Sequence, residues 1–264
     1  MGPIPFTIPE AELENDDDQI GYMLSRREAL GVMGVTGIML FTGCRPGGRS
    51  TTDTALAVAG IGAGPGSCVA RPASIEGPYF VDERLNRSDI RIDPSNGETK
   101  PGTPLQVTFN VSRLSGSACA PVAGLIVDLW QCDHLGVYSD VVDPRFNTKG
   151  QRFLRGYQTT DANGVARFTT IYPGWYSGRP AHIHFKIRSA VSAGAGFDFT
   201  SQLYFDDNVT TQVYAQGPYA AKGPPDVRNA EDEFYQRGGG QLLLPLEKSG
   251  AGYAGTFNIA LQGV

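Results

Sequence analysis

Residues 105–112, Leu-Gln-Val-Thr-Phe-Asn-Val-Ser, alternate apolar and polar side chains with a period of two. Successive side chains on a strand point to opposite faces, so the pattern predicts a half-buried β-strand. Leu125-Ile-Val-Asp-Leu-Trp130 is apolar with one interruption and reads as a buried strand. Arg152–Thr160 and Val165–Ile171 flank Asp161-Ala-Asn-Gly164, where Asn-Gly tolerates positive φ, and so predict a hairpin. His182–Ile187, Gln202–Phe205 and Thr256–Leu261 continue the series. No long helical period and no repeat interrupts it. Short strands at roughly regular spacing argue an all-β chain: a β-sandwich of two mostly antiparallel sheets with long loops that carry any active site. The longest connection, residues 206–240, is polar with Tyr and Gly, and loops of that length are usually functional or mobile.

The chain before residue 68 has a different character. Arg26 and Arg27 precede an apolar run from Ala29 to Gly43, too short to span a bilayer comfortably and suited to an export signal. Ser25-Arg-Arg resembles a twin-arginine signal, and Phe41-Thr-Gly-Cys44 resembles a lipobox that would make Cys44 a lipid anchor. An ordinary cleaved signal with an incidental Cys44 is the alternative. Residues 10–18 are acidic, against the basic character of signal n-regions, and Met23 just before the arginine pair offers a second start. The expected organisation is an export signal over 1–44, a flexible Gly-rich tether over 45–67 and a β-sandwich over 68–264. Such a protein would be exported, either extracellular or anchored on the outer side of the cytoplasmic membrane.

Composition agrees with a loop-rich globular protein: of 264 residues, 34 are Gly and 18 Pro, 41% are hydrophobic and 19% charged. The net charge of −5, with no basic run beyond one arginine pair, argues against a nucleic-acid partner. Export makes a disulfide expected among Cys68, Cys119 and Cys132. Cys119 and Cys132 flank the strand at 125–131, whose ends lie too far apart for a bridge unless the loop folds back. Cys68 is therefore the expected partner of one of them, and either pairing stays open.

Of three histidines, two stand one residue apart in Pro173-Gly-Trp-Tyr-Ser-Gly-Arg-Pro-Ala-His-Ile-His-Phe185. On a strand His182 and His184 share a face, which suggests a metal. Two structural histidines satisfied by hydrogen bonds explain an isolated pair equally well. No carboxylate follows at a cupin-like spacing or completes a two-histidine, one-carboxylate iron triad. A three-histidine zinc site, as in a hydrolase, would have to recruit His134. Tyr176 sits in a turn that can fold it back toward His182, and Tyr138 follows the strand that carries Trp130. Phenolate oxygens are hard anionic donors, and two of them with two imidazoles suit Fe(III).

The segments Glu76-Gly-Pro-Tyr-Phe80, Val127–Ser139, Phe153–Asp161 and Thr170–His184 together resemble the intradiol ring-cleavage dioxygenases, the catechol and protocatechuate dioxygenase superfamily, most closely its exported, lipoprotein-like members. The resemblance implies that Tyr138, Tyr176, His182 and His184 bind a non-haem Fe(III), with Tyr176 and His184 axial and Tyr138 and His182 equatorial. It implies that Arg179 acts beside the iron as a fixed cation, that Tyr176 takes up a substrate proton, and that Tyr79 and Gln158 line the substrate site with Arg179. The implied reaction opens a catechol-type ring between its hydroxylated carbons with O₂, giving a cis,cis-muconate-type diacid. The helical dimerisation region of catechol 1,2-dioxygenases has no counterpart here, and the oligomeric state stays open. A transthyretin-like binding module without catalysis is the alternative from another class.

Overall fold

The alternation at residue 105 becomes β1 (Pro104–Ser115), where Leu105, Val107, Phe109 and Val111 are buried in turn. The computed structural model describes residues 68–116, 118–190 and 196–264. The expected signal, the lipobox at Cys44, the tether and the start at Met23 lie outside the described residues. After β1 come β2 (Ala118–Pro121), β3 (Leu125–Trp130), the short β4 (Val142–Asp143) and β5 (Phe146–Asn147), and β6 (Arg155–Thr159). They are followed by β7 (Val165–Ile171), β8 (His182–Ser189), β9 (Asp198–Tyr204), β10 (Leu246–Ser249) and β11 (Gly252–Leu261).

Two sheets result. In one, β11 runs parallel to β1 and antiparallel to β10. The other edge of β1 is shared by β7 along residues 104–110 and by β2 along residues 112–115. The second sheet is antiparallel throughout, in the order β6-β3-β8-β9. Phe185 of β8 meets Phe109 and Phe257 of the first sheet at centroid distances of 5.1 and 5.6 Å, so these rings interlock across the sandwich. Burying each such ring contributes roughly 1.5–3 kcal/mol.

Strand period then decides where the chemistry goes. Val127, Leu129, Ile183, Phe185 and Ile187 point into the sandwich, so Asp128, Trp130, His182, His184, Lys186 and Arg188 share the outer face of the second sheet. Asp128, the interruption in its strand, is held there by Arg188, whose Nε and Nη2 donate to its two oxygens at 2.7 and 3.1 Å.

The connection over 206–240 is built from short pieces: α1 (Asp207–Tyr214), α2 (Glu233–Gln236) and single 3-10 turns. Segments of eight and four residues are too short to print a helical period. Three buried tyrosines dock the first part: Tyr214 donates to the Pro173 carbonyl at 2.9 Å, Tyr219 to the Tyr172 carbonyl at 2.6 Å, and the Tyr172 and Thr210 hydroxyls lie 2.7 Å apart. Cys68 is bonded to Cys119, with Cα atoms 5.6 Å apart, while Cys132 is free and buried.

Candidate metal centre

Each tyrosine reaches the outer face on a loop that glycine makes possible. After β3, Asp133 Oδ1 accepts from the backbone of Leu135 and Val137, and Gly136 at φ +83° turns the chain back so that Tyr138 is buried above the sheet. Thr148 Oγ1 donates to the Tyr138 carbonyl at 2.6 Å, and Arg155 donates through Nε and Nη2 to the Ser139 carbonyl. The loop carrying Tyr176 packs backbone to backbone against this one. A Cβ on Gly174 would stand 2.3 Å from the Asp133 oxygen, and one on Gly136 would stand 2.1 Å from the Trp175 oxygen. Lys222 closes the seam by donating to the carbonyls of both Leu135 and Trp175.

The turn folds Tyr176 back as its Pro-Gly-Trp-Tyr setting suggests: its Oη lies 3.2 Å from His182 Nε2. His182 Nε2 lies 3.1 Å from His184 Nε2. The Tyr138 ring stands 5.8 Å from that of Tyr176 and 6.3 Å from that of His184. The four residues therefore form one cluster. His182 donates from Nδ1 to the Pro180 carbonyl at 2.7 Å, which leaves Nε2 as a bare lone pair. Burial, reinforced by Arg179, depresses both histidine pKa values well below the ordinary range, so both rings are neutral. Burial also pushes both tyrosine pKa values above the ordinary phenol value. Tyr138 Oη is buried with no hydrogen-bond partner among the described residues.

Those features fit a highly charged cation. Two neutral imidazoles and two phenols gather in one buried cluster, and the Tyr138 oxygen has no partner among the described residues. A metal ion reverses the effect of burial on a coordinating acid and draws off its proton. Three histidines do not meet: His134 packs edge-on against Tyr219 at 6.2 Å, and no three of His, Cys, Asp and Glu gather as a metal site among the described residues. The geometry gives the zinc alternative no support.

Arg179 stands beside the cluster, 9% exposed, with Nε donating to Asp232 Oδ2 at 2.8 Å and Nη2 donating to Gln202 Oε1 at 2.6 Å and Tyr204 Oη at 3.2 Å. Burial alone would lower its pKa, but Tyr176, Tyr204 and Asp232 outweigh burial and hold it above the ordinary value, so it is charged. Tyr79 sits at the rim: its ring stacks on Tyr138 at 4.5 Å and meets Tyr176 edge-on at 6.1 Å, while its hydroxyl donates to Asp143 Oδ2 at 2.7 Å.

Gln158 is a correction. It pairs with Val127, three register steps from the Trp130–Arg155 pair that lies level with His184, and shares the opposite face with Val127. Its amide donates to Asn86 and to the Tyr157 carbonyl, so the pleat of β6 carries it away from the cluster. Gln202 and Tyr204 were not foreseen. They pair with His184 and His182 across β8 and β9, and a glutamine directly before the apolar Leu203-Tyr-Phe205 was the signal that could have found one of them.

Comparison with known proteins is consistent with this arrangement. The family model described as Dioxygenase matches residues 75–223, which include Tyr79, Tyr138, Tyr176, Arg179, His182 and His184. A catechol 1,2-dioxygenase of Acinetobacter lwoffii is 32% identical over 175 residues, covering 58% of this chain and 56% of that protein. The chain thus spans little more than half the length of that relative. A protocatechuate 3,4-dioxygenase beta chain of Burkholderia cepacia is 28% identical over 195 residues, covering 70% and 77%. An intradiol ring-cleavage dioxygenase from Tetranychus urticae superposes with a TM-score of 0.65 at 30% identity, covering 75% of this chain and 96% of that one. With the family model spanning more than half its length, the chain belongs to the intradiol ring-cleavage dioxygenase family.

Proposed function

We propose that the protein is a ferric, non-haem intradiol dioxygenase that opens catechol-type rings between the two hydroxylated carbons, adding both atoms of O₂ to give a cis,cis-muconate-type diacid. The observation that carries this is the buried convergence of His182 Nε2, His184 Nε2 and Tyr176 Oη, with the Tyr138 ring 5.8 Å from that of Tyr176 and its Oη without a partner among the described residues. Tyr138, Tyr176, His182 and His184 would hold the metal. When bound, ferric iron supplies a Lewis acid and one-electron acceptor for the catecholate.

The chain's own groups do the rest. The Pro180 carbonyl fixes the orientation and tautomer of His182. Tyr176 is next to the rim residue Tyr79, so its Oη is placed to take a proton from an incoming catechol hydroxyl. Arg179 presents a fixed cation where negative charge develops on the oxygenated ring. Trp130, stacked on His184, and Phe80, packed on Trp130, exclude water from that side of the cluster.

This chemistry would take place outside the cytoplasm, in a protein either released or held by a lipid at Cys44. The Cys68–Cys119 bridge supports an oxidising compartment, in line with the twin-arginine-like segment at Arg26 and Arg27.

The test is Tyr138→Phe beside the wild type, with iron content, visible spectrum and oxygen uptake on a panel of catechols. The wild type is expected to bind iron, show a phenolate-to-iron charge-transfer band and yield intradiol products. The variant is expected to lose activity and to show a weakened, shifted band, while its iron-free form stays at least as resistant to urea, because the hydroxyl removed is buried without a partner. A variant with full colour and full activity overturns the ligand assignment.

A further inference from the structure

Arg179 enters the cluster from the turn after Tyr176 but is gripped by a segment far along the chain. Asp232, 2% exposed, divides its carboxylate: Oδ2 accepts from Arg179 Nε at 2.8 Å, and Oδ1 accepts from the backbone N–H of Phe234 and Tyr235 at 2.6 and 3.0 Å. The second pair caps the start of α2. That cap also fixes Phe234, whose ring lies 4.7 Å from the guanidinium carbon. One side chain therefore sets both the counter-charge beside the guanidinium and the aromatic ring beneath it.

The remaining contacts are weaker constraints. Gln202 and Tyr204 are neutral and both engage Nη2, leaving the guanidinium free to pivot about that corner if Nε were released. Among the described residues no acceptor meets Nη1, which is left as the donor for a bound molecule.

We infer that Asp232 is a positioning residue: by holding Nε it fixes the direction in which Arg179 offers Nη1 to the oxygenated substrate. This rests on the function proposed above. It gives the connection over 206–240 a role in the reaction although it supplies none of the four groups that would hold the metal.

Two substitutions separate positioning from simple capping. Asp232→Asn keeps a good helix cap but lacks the charge that binds Nε, whereas Asp232→Ala lacks both. Iron-loaded wild type and variants would be compared with catechol in air and titrated with catechol under anaerobic conditions while the visible band is followed. The expected result for Asp232→Asn is unchanged iron content and an unchanged resting band, with kcat down about tenfold or more and KM altered far less. On an Arg179→Lys background the same change is expected to add less than about twofold, since residues acting through one another are not additive. Asp232→Glu is expected to recover part of the loss.

Wild-type kcat in Asp232→Asn, with only Asp232→Ala impaired, would reduce Asp232 to a cap and overturn the inference. So would equal losses on both backgrounds. If Asp232→Asn does not fold, Asp232→Ser, which also caps the helix without the charge, replaces it: a fall in kcat at full iron content supports positioning, and an unchanged kcat overturns it. A wild type that binds no iron and consumes no oxygen with any catechol removes the proposed function and this inference together, whereas an active wild type with an unimpaired Asp232→Asn removes the inference alone.

Discussion

Trp130 lies flat against His184, with ring centroids 5.2 Å apart and planes 11° from parallel. The two residues are direct partners in the β3–β8 pairing, so the indole limits how far the imidazole can rotate. Trp130→Ala is expected to cost about 3–5 kcal/mol in urea unfolding. It is also expected to weaken iron affinity about 10–100-fold, the usual effect of removing a group that orients a metal ligand, as measured by chelator competition. Trp130→Phe keeps a flat face and is expected to retain most of that affinity.

Gly174 separates the two tyrosine loops by the width of a hydrogen atom. Its added Cβ would meet the Asp133 carbonyl oxygen at 2.3 Å and the His134 carbonyl carbon at 2.7 Å, both backbone atoms that cannot swing aside. Gly174→Ala is therefore expected to lose roughly 1–3 kcal/mol of stability, together with iron binding, as the loops part. Gly240→Ala, whose Cβ would meet only Tyr235 Oη at 3.9 Å, is the control and should leave the urea midpoint nearly unchanged.

Alkaline pH is expected to unfold the protein through the tyrosines that dock residues 206–220. Burial holds the pKa of Tyr172, Tyr214 and Tyr219 above the value of about 10 they have in an unfolded chain. Above that pH the unfolded chain releases protons that the folded chain keeps, so stability is intact below about pH 10 and falls as pH rises beyond it. The limiting slope is about 1.4 kcal/mol per pH unit for each such group. Urea midpoints between pH 8 and pH 11 check the sign, and Tyr214→Phe is expected to flatten the decline.

Cys119→Ser, or reduction of the wild type, removes a bridge whose cysteines are 51 positions apart. The expected loss is about 2–4 kcal/mol, mostly by releasing the unfolded chain. Iron content and kcat are expected to stay unchanged, because the bridge ties β2 in the first sheet whereas the cluster sits on the second.

The parts legible in the sequence were those written in local spacing. The period of two around Phe109, the apolar run at 125–130, the Asn-Gly turn ahead of 165–171, and the His-x-His face needed only neighbouring residues to be read. Tyr176 was reachable because six positions of turn can bring a side chain back onto its own strand. Illegible were the partners brought together by pairing between distant segments: Gln202 becomes informative only once β9 lies beside β8, and Asp232 only once α2 docks on Arg179. Gln158 went astray because a matching motif gives an order of residues but not the pleat, and one step of the pleat turns a side chain to the other face. β10 is a short edge strand with little buried side chain, so it carries no apolar signature.

The bridge at Cys68 also determines how the domain would respond to force. Val69 accepts a hydrogen bond from Ala260 in β11 at 2.8 Å, while Cys68 is covalently joined to Cys119 in β2. These strands flank β1 on opposite sides. Tension applied through the chain ahead of residue 68 therefore meets a sulfur–sulfur bond before it can peel Val69 from β11. A domain tugged from that end would take the load on β2 and β11 at once, on both sides of β1.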